Sequence, residues 1–407
     1  MPQALALEAF LTRRYVKPRS GFTFAARLGL AVAVAAKIAN RRGVVGRRRK
    51  RRQVARPPAR LGIDPVAFTA NGENSVERQL QAQLERKLAM SAAEIADFVA
   101  TAFAAGDVVS PLGIVLSPDS QLLEGQRYFL HRVAPDQGAL LPKLQVLWEG
   151  EGAIVVNKPS SLATIPRGSW IARSVVVAAR RQFHNDQITA AHRLDRLTTG
   201  CLLLTLDSKY RARYQQLFDR RQVKKTYLAR TRGGGNRVEA VIPQVGESFD
   251  FQLPMFKETG SLTVSIGDPP VGQKMMRCQS RTRGLVLGKF PLPEKIEKPE
   301  GEGGVTPGGE ESVPEEELLW QLEPETGFTH QLRATLAHVG YPLLGDPLYP
   351  VVLPADAAEN IEPQLCLHAH KLQFPDPENP ANTVTVTAPT PTWAKGYESA
   401  NSPKGLA

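Results

Sequence analysis

AHRLDRLTTGCLLLTLD, residues 191–207, holds the stretch on which the fold and the chemistry both turn. Its second half, Gly200–Asp207, is apolar except for Thr205 up to the closing Asp207, the mark of a strand buried on both faces. Just ahead of it, Asp195 stands between Arg193 and Arg196. Neighbouring guanidinium groups favour the anionic form of a carboxylate. Such a carboxylate can act as a nucleophile or face a developing oxocarbenium ion, while the arginines bind phosphates. A structural ion pair at a loop is the competing reading.

Outward from this segment the strand signals multiply. AIVVNKP (153–159) reads as a buried strand ending at proline, KTYLAR (225–230) and LLWQLEPET (318–326) as strands, and TVTVTA (383–388) as a half-buried one. Residues 172–183, 208–221 and 329–340 read as helices, the last stopped by Gly340. Strands outnumber helices and do not alternate regularly with them. The expected class is therefore α+β, with a mixed, mostly antiparallel sheet and flanking helices over residues 139–391. Within it, residues 291–317 are rich in Pro, Gly and Glu and read as a flexible acidic insertion, and residues 392–407 as a tail.

Upstream, residues 75–105 carry two helices. Val76, Leu80, Leu84 and Leu88 recur at helical spacing, and Ser91 with Glu94 forms a capping-box signature. Short β-prone runs split by Pro-Leu-Gly and Pro-Asp-Ser turns follow. Residues 64–138 are thus a small α+β unit whose order resembles a degenerate S4-type RNA-binding module; a cap without that role is the alternative. Residues 1–63 hold one acid, Glu8, and residues 41–60 hold ten Arg or Lys and no acid, a block that repels itself and is expected to be disordered in isolation. An RNA-contacting arm and an organellar transit peptide both fit that composition.

The formal charge of +11 over 407 residues favours a polyanionic partner, nucleic acid before an anionic membrane. Residues 28–39 are apolar but too short for a spanning helix, which needs about 20 residues. The three cysteines, Cys201, Cys278 and Cys366, are far apart and fit a reducing, cytoplasmic setting better than a disulfide framework or a zinc ribbon. His368 and His370 share a strand face, but His330 and His338 are too scattered to complete a metal site, so neither metal nor cofactor is expected.

Two further segments bear chemistry. In ETGFTHQLRATLAHVGYPLLGDPLY (325–349), Arg333 lies mid-helix and needs an anionic partner if buried, for which Asp195 is the candidate. In RRQVKKTYLAR (220–230), Tyr227 is an aromatic among basic residues, a stacking platform for a base or a core tyrosine. Taken in order, NKPSSLATIPRG, HRLDRLTTGCLLL, VKKTYLA, TGFTHQLRATLAHVGYPLLGDPLY and LHAHKLQF resemble the RluA-type RNA pseudouridine synthases across residues 140–390.

The resemblance implies an isomerase that converts a uridine in structured RNA to pseudouridine, without metal or cofactor, after the base leaves the stack. It implies the pseudouridine synthase catalytic fold. It makes Asp195 the catalytic aspartate, Tyr227 the tyrosine against the uracil and a candidate acceptor of the C5 proton, and Arg333 the partner of the aspartate. Arg193 would enter the base stack, Leu332 would lie beneath the base, and His192 completes the motif as a third substrate-binding residue. Lys158 and Pro159 match the end of the first strand. Thr199 stands where the family has Ser, Cys201 interrupts the aliphatic run, and Phe328 replaces an Arg, which removes a phosphate contact. Ribosomal RNA is the favoured substrate, transfer RNA the alternative, and a monomer is expected. A glycosidase using Asp195 fits less well, because such enzymes usually pair two carboxylates.

Overall fold

The computed structural model describes residues 56–86, 90–131, 140–166, 170–233, 243–270, 275–290, 316–354 and 361–397. Most of the basic arm, the apolar run 28–39, nearly all of the acidic insertion and the end of the tail lie outside these residues. The described chain forms two compact units.

The first unit takes its described residues from 56–144 and from Leu162–Ala190. Strand β1 (Val66–Thr69) precedes helices α1 (Val76–Glu85) and α2 (Ala92–Ala104), then β2 (Val108–Val109) and β3 (Arg127–Leu130). The strands form an antiparallel sheet in the order β1-β3-β2. Ser75 and Ser91 cap the two helices, and both halves of the Ser91–Glu94 capping box are made. Val76, Leu80 and Leu84 of α1 and Ile95 and Val99 of α2 are fully buried, packed with Phe68, Tyr128 and Leu130 of the sheet.

Strands β4 (Gln145–Gly150) and β5 (Ala153–Lys158) belong to the second unit, whereas helix α3 (Val175–Phe183) and the two-residue β6 (Thr189–Ala190) belong to the first. The boundary expected near residue 138 is therefore not a single cut. The physical reason is Arg180 of α3. Its Nη1 donates to the Gly62 carbonyl at 2.9 Å and its Nη2 to Asp64 Oδ2 at 3.3 Å. Ile63 packs with Ile171, Ala172 and Val177 at the same place.

The second unit is built on one large sheet. Beyond β4 and β5 its strands are β7 (Thr199–Thr205), β8 (Lys224–Gly233), β9 (Ser248–Lys257), β10 (Ser265–Ile266), β11 (Met276–Phe290), β12 (Glu316–Pro324), β13 (Leu367–Pro375) and β14 (Thr383–Thr387). The order is β10-β9-β11-β12-β8-β13-β7-β5-β4, with β14 on β13. Within this order only β13 and β7 pair parallel; the architecture is α+β with a mostly antiparallel sheet.

Successive side chains on β12 serve opposite faces, as the period of a strand requires. Leu318, Trp320 and Leu322 join Leu332 and Leu336 of helix α5 (Gln331–His338), while Leu319 joins Phe290 and Ala394 beyond the other face. Helix α4 (Ser208–Asp219) covers β5 and β7 through Tyr214, which packs with Val155, Cys201 and Leu203. The expected tail does not begin at 392: a short 3-10 turn, Thr392–Ala394, places Ala394 in the core and gives the Trp393 carbonyl to Arg230. No described helix is long and apolar enough to cross a membrane.

Candidate active site

The segment carrying Asp195 runs from Ala191 into β7 and is tied down at several points. Lys158, the last residue of β5, is buried, and its Nζ donates to the carbonyls of Pro159, Arg196 and Thr198 at 3.0, 2.8 and 2.7 Å. Burial pulls the Lys158 pKa down to about 7, with Asp195 acting against that and Arg196 with it. Three carbonyl partners use three N–H groups, an arrangement only the ammonium form completes.

Ser160 adds a bond to the Leu197 carbonyl at 3.3 Å. His192 accepts the Leu203 amide through Nε2 at 3.1 Å and stacks on Phe218 at 4.5 Å between centroids. Burial first, then Lys225, pushes its pKa down to about 3, so its ring is neutral. Thr199 Oγ1 and His368 Nδ1 are 2.7 Å apart. Gly200 follows with φ +101°, and a Cβ there would lie 2.3 Å from the Ala369 carbonyl oxygen. Only glycine allows β7 and β13 to approach so closely.

From the other side comes α5. Arg333 is 4% exposed at its side chain, and the partner that holds it is Asp346, 0% exposed. Nε donates to Asp346 Oδ2 at 2.8 Å and Nη2 to Oδ1 at 2.6 Å, a two-pronged clamp. Asp346 Oδ1 also accepts the amides of Leu348 and Tyr349 at 2.9 and 3.2 Å. Gly345, at φ +69°, makes this possible, since a Cβ there would lie 2.1 Å from the Pro363 carbonyl oxygen.

Arg333 then turns Nη1 toward Asp195 Oδ2 at 3.3 Å. Asp195 was the expected partner of Arg333; it is one of two, and the more distant one. Burial opposes the Arg333 charge, but the hydrogen bonds and charge of Asp346, then Asp195, outweigh it and raise its pKa. Asp195 itself keeps 29% of its side chain exposed.

Tyr227 lies on β8 opposite Ala369 of β13 and Leu322 of β12, half-buried against the cluster that contains Leu332. Burial, then the charges of Asp195 and Cys201, raise its pKa well past the ordinary phenol value. Leu332 is 6% exposed, and Arg193 is exposed beside Asp195 in sequence. Phe328 packs with Met255, Val264 and Tyr349, so an apolar contact occupies the position where the family resemblance implies an arginine.

Sequence reasoning passed over Asp346, Tyr349 and the contact of His330, whose Nε2 is 3.8 Å from Asp195 Oδ1. The one available signal for Asp346 was its place after a glycine in GDPLY. What the geometry offers is an accessible carboxylate between a clamped cation and a neutral imidazole, beside a neutral phenol. Among the described residues no cluster of three or more His, Cys, Asp or Glu could hold a metal ion.

A family model described as RNA pseudouridylate synthase matches residues 152–338, a span that includes Lys158, Asp195, Tyr227 and Arg333. A tRNA pseudouridine synthase C of Vibrio vulnificus is 26% identical over 274 residues, covering 65% of this chain and 98% of that protein. The dual-specificity RNA pseudouridine synthase RluA of Escherichia coli K12 is 29% identical over 248 residues, covering 61% and 94%. The solved structure of human RNA pseudouridylate synthase domain containing 1 superposes with a TM-score of 0.42 at 22% identity, covering 61% of this chain and 84% of that one. The family model and nearly the full length of these bacterial relatives match, so the chain is similar to RNA pseudouridine synthases of the RluA type over more than half of its length.

Proposed function

We propose that this RNA-modifying isomerase converts a specific uridine in structured RNA to pseudouridine with Asp195 as the essential carboxylate, and that its substrate is ribosomal RNA, with transfer RNA the alternative. The observation that carries the assignment of Asp195 is its contrast with Asp346. Both carboxylates touch Arg333, but Asp346 is sealed and its side chain saturated, whereas Asp195 is 29% exposed. Only Asp195 can meet a ligand.

The reaction breaks the bond from uracil N1 to C1′ and forms one from C5 to C1′; the C5 proton leaves and N1 gains one. Asp195 is placed to attack C1′, to add to C6, or to take the C2′ proton. Arg333 orients it. Leu332 lies under the base and Tyr227 against it. With its pKa raised, Tyr227 meets the uracil as a neutral phenol, so to take the C5 proton it must pass its own on. Arg193 fills the gap left by the flipped nucleotide. His192, whose Nε2 is committed to the Leu203 amide, serves the substrate by holding the loop. The S4-like reading of residues 64–138, the basic arm as an RNA contact, a monomeric state and a cytoplasmic location without membrane attachment belong to the same proposal.

The test is turnover on RNA transcripts with pseudouridine mapping. Asp195→Asn is expected to abolish product while leaving RNA affinity almost unchanged, because phosphate contacts dominate affinity. Wild-type turnover in that variant removes Asp195 from the mechanism. Release of free uracil instead of a mass-neutral product would make the enzyme a glycosidase.

A further inference from the structure

His330 opens α5 without capping it. N-cap positions favour Ser, Thr, Asp or Asn, whose side-chain oxygen accepts an orphan amide. His330 makes no such bond and stands at φ 53°, ψ 21°, the left-handed region. Non-glycine residues held there cost energy and persist where their surroundings dictate it. The ring instead has a partner beside each nitrogen: Nδ1 lies 3.1 Å from the Tyr349 hydroxyl, within hydrogen-bond reach, and Nε2 faces Asp195 Oδ1 at 3.8 Å.

The Tyr349 hydroxyl on one side and the acceptor-only Asp195 carboxylate on the other favour the same tautomer. The Tyr349 oxygen accepts the Val264 amide at 2.7 Å. A phenol has one proton to give, and His330 Nδ1 is the acceptor beside it. An Nδ1 that accepts is unprotonated, and a neutral imidazole then carries its proton on Nε2. Burial keeps the ring neutral by pushing its pKa down to about 4, Arg333 and Lys257 adding to this and Asp195 and Asp346 opposing it.

We infer that His330 is a positioning residue for the reaction: in the Nε2–H tautomer it is the second donor to Asp195, facing Oδ1 while Arg333 holds Oδ2. This rests on the reading of Asp195 as the reacting carboxylate. The present 3.8 Å separation shortens to hydrogen-bond length in the substrate complex, as catalytic contacts commonly do relative to the free enzyme. The relay Val264 N–H to Tyr349 O–H to His330 Nδ1 keeps the wrong tautomer out. Two donors on opposite oxygens then fix the plane of the carboxylate and aim its remaining lone pairs at the flipped nucleotide.

Two measurements test it. Nitrogen-15 NMR of the full chain, with the His330 signals found by their loss in His330→Gln, is expected to show an Nε2-protonated ring; an Nδ1-protonated ring overturns the inference and needs no variant to be active. Single-turnover rates at saturating enzyme are the second. Gln can present an amide nitrogen near the Nε2 position, whereas Asn reaches only the Nδ1 position and also tolerates the left-handed backbone. The expected order is His330→Gln about tenfold faster than His330→Asn or His330→Ala, which lose about 10–100-fold, with RNA affinity unchanged, the range for a hydrogen bond to a charged group. Asn at the wild-type rate, or equal loss in all three, makes His330 a backbone prop and ends the proposal. Asp195→Asn separates the two layers: turnover retained there removes the catalytic reading, whereas an Nδ1-protonated ring removes only the role of His330.

Discussion

Two arginine–carboxylate pairs in the second unit have nearly the same hydrogen-bond geometry and opposite surroundings. Arg333 grips Asp346 through Nε and Nη2 at 2.8 and 2.6 Å, and Arg281 grips Asp250 through the same atoms at 3.0 and 2.8 Å. The first pair is 4% and 0% exposed, the second 40% and 40%. Bond length therefore does not say what a pair does. In water, solvent and salt compete for both partners and the net gain is small. Out of water, each partner is the other's main compensation, and losing one leaves a buried charge poorly matched. The buried pair is thus a rigid mount. It fixes the guanidinium and leaves Nη1 to orient Asp195.

The largest effect on folding is expected from breaking that mount. Asp346→Asn keeps the shape but removes the charge that compensates Arg333 and one acceptor of its clamp. A loss of about 3–5 kcal/mol of stability is expected, measured by urea unfolding. Single-turnover activity should fall with it, because Arg333 is then free to move off Asp195. Unfolding identical to wild type would show that Asp195 alone suffices as the counter-charge.

The contrast also explains what could be read from the sequence. β7 was legible because Cys201 to Leu204 is buried on both faces and every position is apolar. Asp195 stood out because Arg193 and Arg196 lie within two residues of it and because it falls in the HRLD motif that carries the family resemblance. The Asp346 clamp was not, since it depends on a backbone approach between Gly345 and Pro363 that no local pattern encodes. Strand β11 was hidden for a different reason. Its buried face carries Ser280, Thr282, Gly284 and Gly288 beside Val286 and Phe290, so the period of two has no hydrophobic signature in its first half. Those polar side chains are satisfied instead: Ser280 donates to the Leu253 carbonyl, and Thr282 accepts from Gln331. Likewise β1, four residues long, alternates in burial but is too short to separate from a loop by pattern alone.

A pH series sharpens the comparison at intermediate magnitude. Burial, the leading cause in each case, pushes His192 down to about 3 and His330 and His368 to about 4, against an unfolded value of about 6.5. An unfolded chain takes up these protons first. The stability that comes from keeping the rings neutral is complete above pH ~6.5 and drains away as pH falls toward 4. Asp250 behaves oppositely. Its pKa is lowered, chiefly by the hydrogen bond from Arg281, so its contribution is present above the unfolded value of about 3.9 and is lost only below that. Between about pH 6.5 and 5 the melting temperature should therefore drop chiefly through the histidines, with the exposed pair contributing nothing to the slope. A flat profile over that range would mean the rings titrate in the folded chain as they do in water.

The smallest effect is expected from Asp250→Asn, the same chemical change as Asp346→Asn made in water. Arg281 also has Glu325 within reach, Nη1 to Oε2 at 3.4 Å, and Arg283 pairs with Glu325 at 2.9 Å, so the local charges redistribute without Asp250. The link from Arg281 to the site runs through its backbone. Its amide donates to Thr326 Oγ1 at 3.0 Å, and its carbonyl accepts Gln331 Nε2 at 3.1 Å. Neither bond involves the side chain. Melting temperature and turnover should match wild type, and raising the salt concentration should change neither difference, since screening weakens exposed pairs and leaves buried ones largely untouched. A fall as large as that of Asp346→Asn would mean that hydrogen-bond geometry, and not removal from water, sets what an arginine–carboxylate pair contributes in this fold. The mount under Asp195 would then lose its special standing, because any well-formed pair on the sheet could have served.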